Sequence, residues 1–205
     1  MPDGDYPVQF SVDYPDRPLN RLTTGFRIFA AIPILIVLAA IDGGATSFGR
    51  ATVAAGGTGI LFLPPLLMIL FRRKYPRWWF DWNLELLRFS NRIYVYLALM
   101  DDRYPSTDEG QSVRLDFPYP DAERDLNRWL PLVKWFLAIP HYIVLVALGL
   151  LAFFCVVIAW FAVLFTGRYP EGLFGIVESV IRWGNRVTAY AFLLVTDRYP
   201  PFSFS

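Results

Sequence analysis

The sequence predicts a mainly α, integral membrane protein made of two tandem repeats, and three observations support this fold class. The chain is 55% hydrophobic and only 18% charged, whereas soluble domains contain about 25% charged residues. Residues 51–71 and 135–165 contain no Asp, Glu, Lys or Arg, and about 20 apolar helical residues cross the hydrocarbon core of a bilayer. The tetrapeptide Asp-Arg-Tyr-Pro ends an apolar, aromatic run twice, at 102–105 and at 197–200.

The second half of the chain repeats the motifs of the first half in the same order. "LNRLTTGFRIFAAIP" aligns with "LNRWLPLVKWFLAIP", and "LRFSNRIYVYLALMDDRYP" aligns with "IRWGNRVTAYAFLLVTDRYP". The first half also contains an additional glycine-rich loop, "DGGATSFGRATVAAGGTG". Because an ordered set of matches indicates duplication, we divide the chain into a first repeat, 1–108, and a second repeat, 109–205.

Each repeat is predicted to begin with a short strand and to end with an amphipathic helix. Apolar and polar residues alternate at 8–13 and 113–117, which is typical of half-buried strands. We expect these strands to pair with each other, because each alone would leave unpaired edges. The amphipathic helices, about 77–100 and about 172–195, have an apolar, Trp-rich side and an Arg-bearing stripe, a pattern that favours the membrane interface.

Between strand and amphipathic helix, each repeat is predicted to contain a transmembrane helical hairpin. In the first repeat the spans are about 22–41 and 52–71. In the second repeat the hairpin is about 130–166, which is too long for one span at 1.5 Å per residue, so we predict a turn near Gly149. A re-entrant hairpin that does not cross the bilayer is the alternative.

This organisation predicts four short transmembrane helices with both termini on one side. Of the 19 Lys and Arg residues, only Arg50 falls in a loop on the opposite side. Since basic residues accumulate on the cytoplasmic side of membrane proteins, the N and C termini are predicted to be cytoplasmic.

Five basic residues near predicted span ends are candidates for contact with anionic lipid or an ion. Arg27 and Lys134 occupy aligned positions in the two repeats. Their long side chains are expected to reach the headgroups, and ion or substrate handling is the alternative. Arg72, Arg73 and Lys74 form a cluster beside the end of the second predicted span.

Three further positions are singled out by the alignment of the repeats. Asn91-Arg92 and Asn185-Arg186 match, and we expect them to pair with Asp102 and Asp197 or with phospholipid headgroups. His141 is the only histidine. It is expected to be a hydrogen-bonded packing or interfacial residue, and a proton-sensing or redox-cofactor ligand is the alternative.

Composition argues against several other kinds of site. A net charge of +1 lacks the basic footprint of a nucleic-acid-binding protein. One histidine and the single cysteine, Cys155, cannot form a His-based metal cluster or an intramolecular disulfide. We predict no catalytic residues, no metal ligands and no cofactor.

The segments "LNRWLPLVKWFLAIPHYIVL", "WFAVLFTGRYP" and "LLVTDRYPPFSFS" resemble a bacterial family of membrane proteins known as domain of unknown function 4389. The resemblance covers both repeats, although the first repeat has Ile34 where the second has His141 and adds the glycine-rich loop. It implies a multi-pass bacterial membrane protein, and we expect the protein to lie in the inner membrane. It brings no catalytic residues.

These features together predict a non-enzymatic membrane module. We expect an accessory or scaffold subunit of a larger membrane complex, or a homo-oligomer, that binds anionic lipid headgroups through its cytoplasmic face. The alternatives are a small oligomeric channel or transporter element, and a membrane-shaping protein. An enzyme acting on lipids has the least support.

Overall fold

The computed structural model of the chain describes residues 6–41, 63–107, 109 and 111–204. These residues form two strands and six helices, so the predicted mainly α class is confirmed. The strands are β1 (Gln9–Val12) and β2 (Val113–Asp116). The helices are α1 (Arg21–Ile41), α2 (Leu63–Leu67, continued by a π-helical segment, Met68–Arg72), α3 (Arg77–Leu97), α4 (Pro131–Leu137), α5 (Ile139–Thr166) and α6 (Glu171–Ala191).

β1 and β2 form a two-stranded antiparallel ribbon, which confirms the expected pairing of the two segments. Phe10 lies opposite Leu115, and Val12 lies opposite Val113. These side chains are buried, whereas the alternate residues along both strands are exposed. The ribbon therefore has an apolar inner face and a polar outer face.

α3 and α6 lie along opposite edges of the ribbon and bind its backbone through arginine side chains. Arg88 Nε, on α3, donates to the Leu115 carbonyl oxygen at 2.9 Å, and Arg182 Nε, on α6, donates to the Phe10 carbonyl oxygen at 3.0 Å. The edge strands of a sheet present unpaired backbone groups, and these arginines satisfy some of them. One arginine from the charged stripe of each amphipathic helix therefore reaches the ribbon.

α1 packs on α3, and α5 packs on α6, through two separate apolar clusters. The first cluster contains Ala31, Ile34, Leu38, Phe89, Ile93 and Tyr96. The second contains Ala138, Trp183, Val187, Tyr190 and Ala191, with Tyr142, Leu145 and Leu148 packed against it. The C-terminal half of α5 contributes Cys155, Ala159 and Val163 to the main core under the ribbon. α1 and α5 thus form an apolar layer beneath the ribbon and its flanking helices.

α5 runs without interruption through Gly149, so the predicted turn at that position is wrong. The chain breaks earlier, at Ala138, and Pro140 lies in the first turn of α5, where its missing N–H is tolerated. The earlier break leaves a helix of 28 residues, about 42 Å long. No proline or polar turn residue surrounds Gly149, and a single glycine costs a helix only about 1 kcal/mol relative to alanine.

Only part of the predicted first hairpin falls within the described residues. α1 covers the span predicted at 22–41, whereas 52–62 and the glycine-rich loop lie outside the described residues. Among the described residues, two helices are long and apolar enough to cross a membrane: α1, over Arg21–Leu38, and α5.

Asn91 and Asn185 connect α3 to α6 in the interior of the protein. Each side-chain amide donates a hydrogen bond to the other's Oδ1 atom, at 2.9 and 2.8 Å. Both residues are buried. Because buried amides need hydrogen-bond partners, this reciprocal pair holds the two flanking helices in one relative position.

Replacing Asn91 by alanine is expected to lower the free energy of unfolding by about 1–3 kcal/mol, since the Asn185 amide would stay buried without its partner. The double variant N91A/N185A should lose less than the sum of the single variants, because it removes both buried amides. Denaturant unfolding in mild detergent measures this coupling.

Ser90→Ala is the matched control for this experiment. Ser90 is buried beside Asn91, but its hydroxyl donates to the Leu86 carbonyl oxygen within α3, so its loss should be smaller. Additive effects of the two asparagine substitutions would contradict the proposed coupling.

Candidate functional site

The seven basic residues predicted to contact lipid or ions separate into four buried and three exposed side chains. Arg27, Lys134, Arg92 and Arg186 are at most 8% exposed. Arg72, Arg73 and Lys74 are exposed. The structure therefore leaves only the second group available to a lipid headgroup.

Arg27 reaches from α1 to the C-terminal end of α3. Its Nη1 atom donates to the carbonyl oxygens of Tyr96, at 2.8 Å, and Asp101, at 2.7 Å. Its guanidinium carbon lies 4.6 Å from the centre of the Tyr96 ring. The side chain therefore points into the protein.

Lys134 makes the corresponding contacts from α4. Its Nζ atom donates to the Thr196 carbonyl oxygen at 2.6 Å and lies 2.7 Å from the Asp197 carboxylate. It also lies 5.1 Å from the centre of the Tyr190 ring. Both cations thus bind the turn that follows an amphipathic helix.

Each of the two turns contains a leucine with a left-handed backbone conformation. Leu99 and Leu194 have left-handed conformations, with φ angles of 66° and 58°, which are costly for residues other than glycine. Both leucines are buried. A cation near the C-terminal carbonyls of a helix is favourable, so Arg27 and Lys134 stabilise these turns.

The expectation that Arg27 and Lys134 reach the lipid headgroups is therefore wrong for this structure. Buried backbone carbonyl oxygens accept hydrogen bonds from both side chains and hold them inside the protein. Sequence reasoning missed these acceptors because backbone carbonyls in a turn leave no sequence signal.

Arg92 and Arg186 also lie inside the protein, and the expected pairing with Asp102 and Asp197 is wrong. Arg92 Nη1 donates to the Ser106 carbonyl oxygen at 2.8 Å. The guanidinium of Arg186 lies over the ring of Tyr6, at 5.4 Å. Asp197 pairs with Lys134 instead, as described above.

Asp102 belongs to a polar cluster near the end of α3 that the sequence did not predict. It pairs with Arg17, while the neighbouring Asp101 accepts hydrogen bonds from Arg103 and from Ser112. Burial alone would raise the pKa of the Asp101 carboxyl, but the hydrogen bonds from Arg103 and Ser112 outweigh it and hold that pKa below its ordinary value.

This polar cluster lines an open cleft of about 550 Å³. Asp13, Asp16, Arg17, Asp101 and Arg103 contribute charges of both signs to its wall. Because these charges largely neutralise one another, the cleft has no clear preference for a cation or an anion. Among the described residues, no group of three or more His, Cys, Asp or Glu side chains could hold a metal ion.

His141 is buried and hydrogen-bonded inside the protein. Its Nδ1 atom accepts a hydrogen bond from Trp183 Nε1 at 3.1 Å. The imidazole stacks on Phe202, with ring centres 4.0 Å apart, and lies 4.8 Å from the ring centre of Tyr199. The C-terminal segment thus covers the histidine, which is fully buried.

The exposed residues Arg72, Arg73 and Lys74, here called the basic cluster, lie where the π-helical segment ends. Arg73 has a left-handed backbone, with φ 48°, and its N–H caps the helix by donating to the Ile69 carbonyl oxygen. No ion pair joins the side chains of the basic cluster to any described residue. Arg73 and Lys74 line an open cleft together with Asp121 and Glu123, and the exposed cations remain accessible to an external anion.

Exposed aromatic side chains surround the basic cluster. Phe71 is 70% exposed, and Trp78, at the start of α3, is also 70% exposed. Arg128 Nε donates to the Leu70 carbonyl oxygen at 2.5 Å, which brings the exposed Trp129 to the same end of the protein. Tryptophan beside free cations is typical of the headgroup region of a bilayer.

Comparison with known families identifies one match, in the second half of the chain. Residues 129–203 match the family described as Domain of unknown function (DUF4389). This part of the chain carries a DUF4389 domain. The match includes Lys134, His141 and helices α4 to α6. Searches of curated proteins and of solved structures each found no match.

Replacing Lys134 by methionine is expected to lower the free energy of unfolding by about 3 kcal/mol, since it removes one partner of a largely buried ion pair. The double variant K134M/D197N should be less unstable than the sum of the two single variants. The measurement is denaturant unfolding in detergent that contains no anionic lipid.

Arg124→Met is the matched control, because Arg124 is in an ion pair with Asp121 but its side chain is 86% exposed. Its effect should stay within about 0.5 kcal/mol. If K134M were destabilising only when anionic lipid is added, the lysine would be a lipid contact and its assignment to the turn would be wrong.

Proposed function

We propose that the protein is a non-enzymatic membrane module that embeds one apolar face in a bilayer and binds anionic lipid through the basic cluster. The observation that carries this proposal is the apolar face, which we define as the outward side chains of α1 and α5. The following paragraphs give the support for each part.

The apolar face is continuous along α5. Ile143, Val146, Phe154, Ile158 and Phe165 are between 55% and 78% exposed. α1 adds Leu22, Phe26, Ile28 and Phe29, which are at least 67% exposed. Monomeric soluble proteins rarely expose so large an apolar patch, and α5 has no Asp, Glu, Lys or Arg that would keep it in water. Exposed side chains of this composition favour contact with lipid acyl chains over contact with water.

The basic cluster directly follows an exposed apolar side chain, a combination expected at the level of the lipid headgroups. Phe71 directly precedes Arg72 and is strongly exposed, so an apolar anchor and free cations are adjacent in the chain. Each basic residue near an anionic membrane surface contributes about 1 kcal/mol of attraction. The aligned positions of the second repeat, Thr166-Gly167-Arg168, contain one basic residue. The attraction is thus concentrated on one side of the protein.

We further infer that the chain is a tandem duplication and that its repeats are related by an approximate twofold axis. The support is that aligned residues make reciprocal or corresponding contacts. Two aligned pairs contact each other: Phe10 lies opposite Leu115, and Asn91 bonds Asn185. Two other aligned pairs make corresponding contacts. Arg27 and Lys134 each bind the turn after an amphipathic helix, and the hydroxyls of Tyr14 and Tyr119 donate to the carbonyl oxygens of Tyr169 and Tyr75.

We place the protein in the bacterial inner membrane, with the ribbon and the basic cluster on the cytoplasmic side, as an accessory or scaffold subunit or a homo-oligomer. The basic cluster supports this orientation through the positive-inside rule.

A channel or transporter element has less support, because Arg27 and Lys134, which motivated it, bind backbone carbonyls. Membrane shaping is the second candidate, and the position of the apolar face on one side of the protein favours it.

Replacing Arg72, Arg73 and Lys74 together by glutamine should weaken binding to anionic vesicles on the order of 100-fold, from about 1 kcal/mol for each charge. Binding to phosphatidylcholine vesicles should not change. Flotation with vesicles of phosphatidylcholine, with and without phosphatidylglycerol, measures both. The preference of the unmodified protein for anionic vesicles should fall as salt is added.

The control for this experiment is Arg114→Gln, which removes a 72%-exposed charge from the outer face of the ribbon and should leave flotation unchanged. Equal binding of the unmodified protein to both vesicle types would contradict anionic-lipid binding. Failure to float with either type would contradict membrane association altogether.

Native mass spectrometry of the protein released gently from its membrane tests the proposed assembly. We expect either a foreign subunit in fixed ratio or a defined homo-oligomer, with anionic lipid retained. A monomer that retains neither a partner nor lipid would contradict the proposed scaffold role.

A further inference from the structure

We infer that α5 lies in the plane of one lipid leaflet, beneath the ribbon, and does not cross the bilayer. This inference rests on the membrane association proposed above. It assigns the outward face of α5 to the acyl chains of a single leaflet and the outer face of the ribbon to water.

The first step is that α5 is packed along α6 over nearly its whole length. At its start, the Tyr142 ring stacks near Phe192, just beyond the end of α6, with ring centres 6.1 Å apart. In its middle, Leu148 packs against the cluster that contains Val187. At its end, Val163 shares the main core with Phe174 in the first turn of α6. The two helices are therefore antiparallel neighbours with nearly the same direction.

The second step is that the polar ribbon lies beside the middle of α6. Glu178 Oε1 accepts a hydrogen bond from the Val12 N–H at 3.3 Å, and Arg182 binds the Phe10 carbonyl oxygen. These residues are near the centre of α6, on a different side from Trp183 and Val187, which face α5. The ribbon is consequently beside the central part of the α5–α6 pair.

The third step concerns the charges that the ribbon exposes. The side chains of Asp13, Arg114 and Asp116 are 54%, 72% and 80% exposed. If α5 crossed the bilayer, α6 would cross with it, and these charged side chains would lie near the middle of the hydrocarbon, where charge is strongly unfavourable. With α5 in the plane of the membrane, the same charges remain in water.

The composition of α5 also fits an in-plane position in this protein. An isolated interfacial helix needs a polar face of its own toward water. α5 needs none, because α6 and the ribbon cover its inner side and supply the polar surface. A helix that is apolar on all sides can therefore lie in one leaflet, provided that the rest of the domain lies above it.

Depth measurements with spin labels test the orientation of α5. Single cysteines replace Ile143, Leu150 and Phe161, which lie on the same exposed side of the helix, in a Cys155→Ala background. The protein is placed in phosphatidylglycerol-containing bilayers, and the relative accessibility of each label to oxygen and to a water-soluble nickel complex gives its depth. A label at Ser11, on the outer face of the ribbon, serves as the aqueous control.

An in-plane α5 should place all three labels at the same depth, within about 4 Å, because they differ only in position along the helix axis. A crossing α5 should place the Leu150 label near the bilayer centre and the other two shallower by about 10 Å or more. That second result would overturn the inference and leave membrane association intact. Three water-exposed labels would instead overturn the proposed function itself.

The labelling does not depend on the Cys155→Ala substitution. Should Cys155→Ala fail to fold, the three labels can be placed in the natural sequence, because Cys155 is only 4% exposed. A Ser11 label found in hydrocarbon, in either background, would also overturn the inference, since the ribbon would then not be in water.

Discussion

The unpaired edges of the two-stranded ribbon are the constraint on which the rest of the structure depends. A ribbon of two short strands is not stable alone, and its exposed backbone groups need partners. α3 and α6 supply partners through Arg88 and Arg182, so the helix sides that carry these two arginines lie against the ribbon. Their remaining sides are apolar and need a cover. α1 and α5 pack against these apolar sides. The outer sides of α1 and α5 then form the exposed apolar surface of the protein.

The buried cations connect this apolar layer to the ribbon layer. Arg27 and Lys134 begin in α1 and α4 and end at the turns that follow α3 and α6. Each turn contains a leucine in a left-handed conformation, so the turn combines backbone strain with carbonyl groups that need donors. Arg27 binds two carbonyl oxygens and Lys134 binds one carbonyl oxygen and the Asp197 carboxylate, and these contacts tie one layer to the other. The same contacts remove both cations from the surface, which explains why they are unsuited to lipid or ion handling.

The layered arrangement separates two surfaces of opposite character. The outer face of the ribbon has charges of both signs, whereas the outer sides of α1 and α5 are apolar; in the proposed function the first faces water and the second contacts lipid. The basic cluster and its exposed aromatic neighbours add a third kind of surface, in which cations and aromatic rings are adjacent. This distribution is the basis for the fixed orientation at a membrane that we propose.

The sequence by itself determined the alternating strands, the amphipathic helices and the apolar character of α1 and α5, because these follow from local periodicity and composition. It also identified the basic cluster, whose exposure needs no distant partner. Only the tertiary structure decided that α5 continues through Gly149, that Asn91 pairs with Asn185, and that Arg27 and Lys134 bind turn carbonyls. Those outcomes depend on contacts between residues far apart in the chain and on backbone acceptors that every residue carries. A pattern of side chains along the sequence does not encode which of these acceptors a buried cation will meet.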